Sequence, residues 1–169
     1  MALITTPGAN DANSYVSVTE ASEYFSLSYN RTAWANASNR DKEKSLAEAT
    51  RLLDLFVQWN GYIASISQRL RWPRINVIDA DGRIIDSGTI PQAIKDATCE
   101  LAYSILSNDG FDTSENPIDK VKVGPISVDF DINQKSIGFP KIVRDIIASW
   151  GNLQIQPSSG LQTAKLVRT

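Results

Sequence analysis

The 169-residue chain has no histidine, one cysteine, one methionine and no surplus of positive charge, its 17 Lys and Arg facing 19 Asp and Glu. Each scarcity excludes something. Without histidine the commonest general base and the commonest metal ligand are both missing, so most hydrolase and zinc chemistries fall away and Cys99 has no imidazole to activate it. A lone cysteine forms no intramolecular disulfide, which fits a reducing compartment. A net charge of −2 is not the balance of a protein that grips nucleic acid mainly by neutralising phosphates. No stretch approaches the ~20 apolar residues of a membrane helix, and "MALITTPGANDANSY" lacks the basic region and apolar run of a secretion signal. Synthesis in the cytoplasm and no membrane partner are expected, and the sequons at Asn30 and Asn36 carry no weight. Phosphate-cradling glycine motifs, nucleophile elbows and CxxC pairs are also missing. No cofactor and no catalytic activity are expected.

What is present is the composition of one soluble domain, 42% hydrophobic and 21% charged, long enough to bury a core. Residues 1–16 read as a turn-rich arm, 17–150 as the folded domain, and 151–169 as an extended tail without an acidic residue. A short helix is predicted after a cap at Ser17 or Thr19, with Val18, Ala21 and Phe25 on one face. The strongest helical pattern is "SNRDKEKSLAEATRLLDLFVQW", in which Ser38 precedes Asp41 by three residues and Leu46, Ala49, Leu53 and Phe56 form a stripe. Trp59 to Ser65 reads as an irregular turn. Another helix is predicted from Thr89 as N-cap with Pro91 in its first turn, burying Ile94, Ala97, Leu101 and Ile105. "VKVGPISVDFDI" alternates like a hairpin. "FPKIVRDIIASW" predicts a last helix with Ile142, Ile146 and Trp150 on one side. The fold class is therefore mainly α, a bundle of about four helices with one or two β-hairpins and an extended C-terminal tail.

Three stretches carry candidate chemistry. Asp129 and Asp131 lie two apart on a strand and alternate with apolar residues, so they form its solvated side. Asp79-Ala80-Asp81-Gly82 opens like a calcium loop, but Arg83, Ile84 and Ile90 stand where oxygen ligand, glycine and glutamate are required, leaving Asp81-Gly82 as a hairpin turn. The cluster "RLRWPR" has two readings. Its arginines can track a phosphate backbone while a base stacks on Trp72. Alternatively Trp72 fills a core gap, Pro73 ends a helical segment, and Arg69, Arg71 and Arg74 contact neighbouring proteins; this second reading is preferred. In the tail, Leu161, Leu166 and Val167 beside Arg168 suit a segment that docks on a partner.

The order of "ANSYVSVTEASEYF", Trp34, Leu53-Asp54, Trp72-Pro73-Arg74, Asp81-Gly82, Ile90-Pro91, Glu100-Leu101 and "VKVGP" resembles the small head-to-tail adaptor (connector) proteins of tailed bacteriophages, over about residues 10 to 150. A related label for such sequences is DnaT-like single-stranded-DNA-binding. The adaptor resemblance implies a virion protein at the portal vertex that forms a ring with copies of itself, a dodecamer. The ring binds the portal protein above and the next tail component (nozzle, stopper or tail tube) below, and packaged DNA passes through its lumen. It places Leu161, Leu166, Val167 and Arg168 at the portal, Arg69, Arg71, Trp72 and Arg74 at subunit or partner interfaces, and Asp129 and Asp131 at the lumen or an exposed rim. The alternative from a different class is a single-stranded-DNA-binding replication module built on "RLRWPR".

Overall fold

A computed structural model describes residues 2–107 and 139–154. The predicted hairpin at 120–132 with Asp129 and Asp131, and the tail residues Leu161, Leu166, Val167 and Arg168, lie outside the described residues. Five helices and four short strands follow in order: α1 (Val18–Ser26), α2 (Thr32–Asn36), α3 (Asn39–Phe56), β1 (Val57–Trp59), β2 (Tyr62–Ile63), β3 (Arg74–Ile75), α4 (Gln92–Leu106), α5 (Lys141–Ile147) and β4 (Gly151–Leu153). The chain is thus mainly helical with two small antiparallel sheets, β1 on β4 and β2 on β3. Among the described residues no helix is long and apolar enough to cross a membrane.

The caps set the helix starts. Ser17 accepts from the Glu20 amide while the Glu20 carboxylate accepts from the Ser17 amide, closing a capping box on α1. Ser38 accepts from the Asp41 amide at α3. The predicted cap at Thr89 is corrected: Pro91 occupies the N-cap of α4, and the Thr89 hydroxyl donates to the Asp86 carbonyl at 3.1 Å in the preceding turn. In α5 the buried residues are Val143 and Ile147, one helical turn apart, and Ile142 faces solvent. Helix α2, with buried Trp34, has no counterpart in the sequence expectations.

Helix α4 is the spine, packed against both α3 and α5. Leu46 and Leu53 of α3, Ile94 and Leu101 of α4, and Val143 and Ile147 of α5 are sealed from solvent in one cluster. The N-terminal arm joins it through Ala12, Tyr15 and Val16, its path fixed by reciprocal bonds between Ile4 and Asn13 and by the Tyr15 amide on Thr50 Oγ1. Buried Trp72 meets Trp59 and Trp150 edge to face, at centroid separations of 5.9 and 6.1 Å. One ion pair enters the interior: Glu100, its side chain 3% exposed, accepts from Arg31 Nη2 at 2.7 Å and from the Tyr24 hydroxyl at 2.9 Å. The same guanidinium lies 4.6 Å from the Tyr103 ring centroid.

Beyond Phe56 the expectations need correction again. Trp59 to Ser65 is not a loose turn but the end of β1, a bend at Asn60-Gly61 and the whole of β2. Pro73 does not end a helix: it follows a cis peptide after Trp72, and α3 has already ended at Phe56. Gly61 has φ +69°, and a Cβ built on it would stand 2.3 Å from the Ile75 carbonyl oxygen and 2.7 Å from Val77 Cγ2. Gly61→Ala is therefore expected to cost at least about 1–2 kcal/mol from the left-handed backbone alone, and to push β3 off β2. Urea unfolding together with amide exchange at Ile75 checks this; an unchanged exchange rate would mean the clash is absorbed elsewhere.

Candidate nucleic-acid interface

The β2–β3 ribbon and the loop inside it are built on inward-turned polar groups. Arg74 is buried. Its Nε donates to the Asn60 carbonyl at 2.6 Å, its Nη2 to Gly61 at 2.6 Å and Trp59 at 3.4 Å, and its Nη1 to Arg71 at 3.1 Å. One guanidinium thus fixes four carbonyls, and burial pulls its pKa down. Gln68 ties the loop across its middle, donating to the carbonyls of Leu70 and Pro73 at 2.8 and 3.0 Å while accepting from the Ser65 amide.

Asp54 at the end of α3 holds the loop to the body. Its carboxylate accepts from the Tyr15 hydroxyl, from Trp59 Nε1 at 3.3 Å and from the Arg71 amide at 3.0 Å. Burial raises its pKa above the ordinary carboxylate value and outweighs those donors. A raised folded value means that the folded chain holds this proton more tightly than the unfolded one, so the Asp54 contribution to stability shrinks as pH rises through that value.

Two arginines of "RLRWPR" behave differently from the third. The Arg69 amide donates to the Ala9 carbonyl and the Arg71 amide to Asp54, so both backbones are pinned. Both side chains are exposed and, among the described residues, neither guanidinium has a hydrogen bond or ion pair. Trp72 is 1% exposed and part of the core, the preferred of its two readings; it cannot receive a base, and its placement at a partner interface is corrected. Arg74 is likewise committed to the interior.

The aromatic on the outer face is a residue the sequence did not single out. Tyr62 pairs directly with Ile75 across the ribbon, which puts their side chains on one face, opposite to the face of the Ile63 and Arg74 pair. Tyr62 is 68% and Ile66 98% exposed, and Ile63 and Ile75 are also accessible. Three residues past Ile75, Ile78 bridges Ile84, both exposed, and between them lies the expected Asp81-Gly82 turn, with Gly82 at φ +82°. Arg83 offsets one of the two negative charges of this turn. Arg83 Nε meets Asp79 at 2.8 Å and its Nη2 meets Asp81 at 2.7 Å. The Arg83 amide and guanidinium hold the Asp79 carboxyl below its usual range. Between Tyr62 and Ile84 lie an exposed ring, five exposed isoleucines and two unpaired arginines.

Among the described residues no cluster of His, Cys, Asp or Glu could hold a metal ion, and Cys99 is buried in α4, where burial drives its thiol pKa up and away from thiolate chemistry.

Residues 1–169 match the family model described as "Putative DnaT-like ssDNA binding protein". No curated protein and no solved structure matches the chain. This family match overturns the head-to-tail adaptor resemblance. The virion location, the ring of copies, the portal and tail partners and the passive passage of DNA go with it. Since it spans the whole chain, the protein belongs to the DnaT-like ssDNA-binding family.

Proposed function

We propose that this member of the DnaT-like ssDNA-binding family binds single-stranded DNA on the β2–β3 ribbon and its loop, through Tyr62, Ile75, Arg69 and Arg71, as a binding protein without a catalytic step, in the setting of DNA replication. The observation that carries the reading is the exposed Tyr62–Ile75 pair in a chain whose family is described by that ligand. An exposed ring gives an unpaired base a surface to stack on, and the two exposed arginines of the loop between β2 and β3 supply phosphate contacts. Buried Arg74 and half-buried Gln68 and Asp54 hold the loop between the strands in shape before DNA arrives, so less ordering entropy is lost on binding.

Fluorescence anisotropy with a labelled oligo(dT) tests it. Tyr62→Ala is expected to weaken binding about 5- to 150-fold, the range of one base stack worth about 1–3 kcal/mol, with an unchanged melting temperature because the ring is exposed. Arg69→Ala/Arg71→Ala should also weaken it. A wild-type chain that leaves oligo(dT) free at low salt sinks the proposal.

A further inference from the structure

Resting on the single-stranded-DNA reading of the same face, we infer that its ligand is the unstacked base rather than the phosphate backbone, so it takes base-bearing single strands and passes over other polyanions. The charge ledger of the surface leads there. Four arginines stand between residues 62 and 85. Arg74 is consumed by four carbonyls, and Arg83 by Asp79 and Asp81. Arg69 and Arg71 are left, and each phosphate neutralised on a single strand contributes about 0.7 to the salt exponent. Two give a slope of about 1.4, or roughly a sevenfold loss between 50 and 200 mM salt.

Against that small electrostatic share stands the apolar surface. Tyr62 and Ile75 on the outer face of the ribbon, with the exposed isoleucines 66, 78 and 84 in the adjoining loops, offer the flat and branched contacts that unstacked bases use and that phosphates cannot. The hairpin tip reinforces the preference, because Arg83 offsets only one of its two carboxylates and the remaining negative charge disfavours a phosphate backbone. In a duplex the base faces are covered by their neighbours, so the same surface meets phosphates alone.

The full chain is titrated with oligo(dT), with an abasic tetrahydrofuran strand of equal length and with a duplex, each at 50 and 200 mM salt, and heparin is added to the oligo(dT) complex. The expected result is an abasic strand bound at least tenfold more weakly than oligo(dT), a duplex as weak as the abasic strand, a sevenfold salt effect and no displacement by heparin. Equal affinity for abasic and base-bearing strands, or a salt slope of 4 or more, overturns the inference while leaving single-stranded-DNA binding intact. Failure to bind any strand overturns both.

Discussion

Trp72→Ala lowers the melting temperature by about 6–20 °C. The indole is 1% exposed and wedged between Trp59 and Trp150, so truncation removes its burial and leaves a cavity that two rigid rings cannot close. Such large-to-small changes cost about 3–5 kcal/mol, and in a chain of this size each kcal/mol is worth roughly 2–4 °C. The loss is one of packing, since Trp72 Nε1 has no hydrogen-bond partner among the described residues. Trp72→Phe, which keeps a ring and forfeits no hydrogen bond, should retain most of the stability. The pair separates the two readings of "RLRWPR". Below its melting point Trp72→Ala keeps its affinity for oligo(dT), whereas Tyr62→Ala keeps its melting point and loses affinity. Circular dichroism melting decides the matter, and a Trp72→Ala midpoint within 2 °C of wild type would show that the indole is dispensable.

Glu100→Ala is expected to cost about 3–5 kcal/mol, the usual penalty for removing one partner of a buried pair. The Arg31 guanidinium and the Tyr24 hydroxyl both end on the same Glu100 oxygen, so one substitution strands a cation and a donor together. Arg31 keeps its place over the Tyr103 ring, which offsets part of the loss. Replacing both charges by apolar side chains, Glu100→Leu with Arg31→Met, should recover much of the stability, because the desolvation of the pair disappears with the pair. Urea unfolding of the two single variants and the double variant measures the coupling. Additive losses in the double variant would mean the ion pair carries no special weight.

The sequence exposed helices well wherever a local device specified them. Ser17 and Ser38 both cap as their spacing suggests, and the apolar stripes of α3 and α4 face the core. These signals lie within a few residues of the groups they govern. The site was less legible because its parts are decided at a distance. Arg69, Arg71 and Arg74 look alike in "RLRWPR", and only the position of the 59–61 carbonyls turns Arg74 inward and leaves the other two outward. Trp72 read as either a platform or a core residue until Trp150, far along the chain, came to stand beside it. Tyr62 escaped notice because β2 is two residues long and pairs with β3 across the intervening loop, too short a run for alternation to register. Asn60-Gly61 is a hairpin signal in its own right, yet β1 and β2 on either side of it each take another partner.

The pairing of β1 with β4 also governs the order in which the protein can be made. Val57 is matched with Leu153, and Gln154 donates to Gln58, 96 positions earlier in the chain. At about 5–20 residues per second a ribosome needs roughly 5–20 s to supply that partner. During this interval α1 to α4 can assemble, while Val57, Trp59 and Trp72 wait without the β4 strand and Trp150 that later cover them. The nascent chain therefore carries a bare, aromatic-rich edge until its C-terminal part emerges. That interval, rather than any step in the helical half, is when a chaperone holding the chain would protect it most from aggregation.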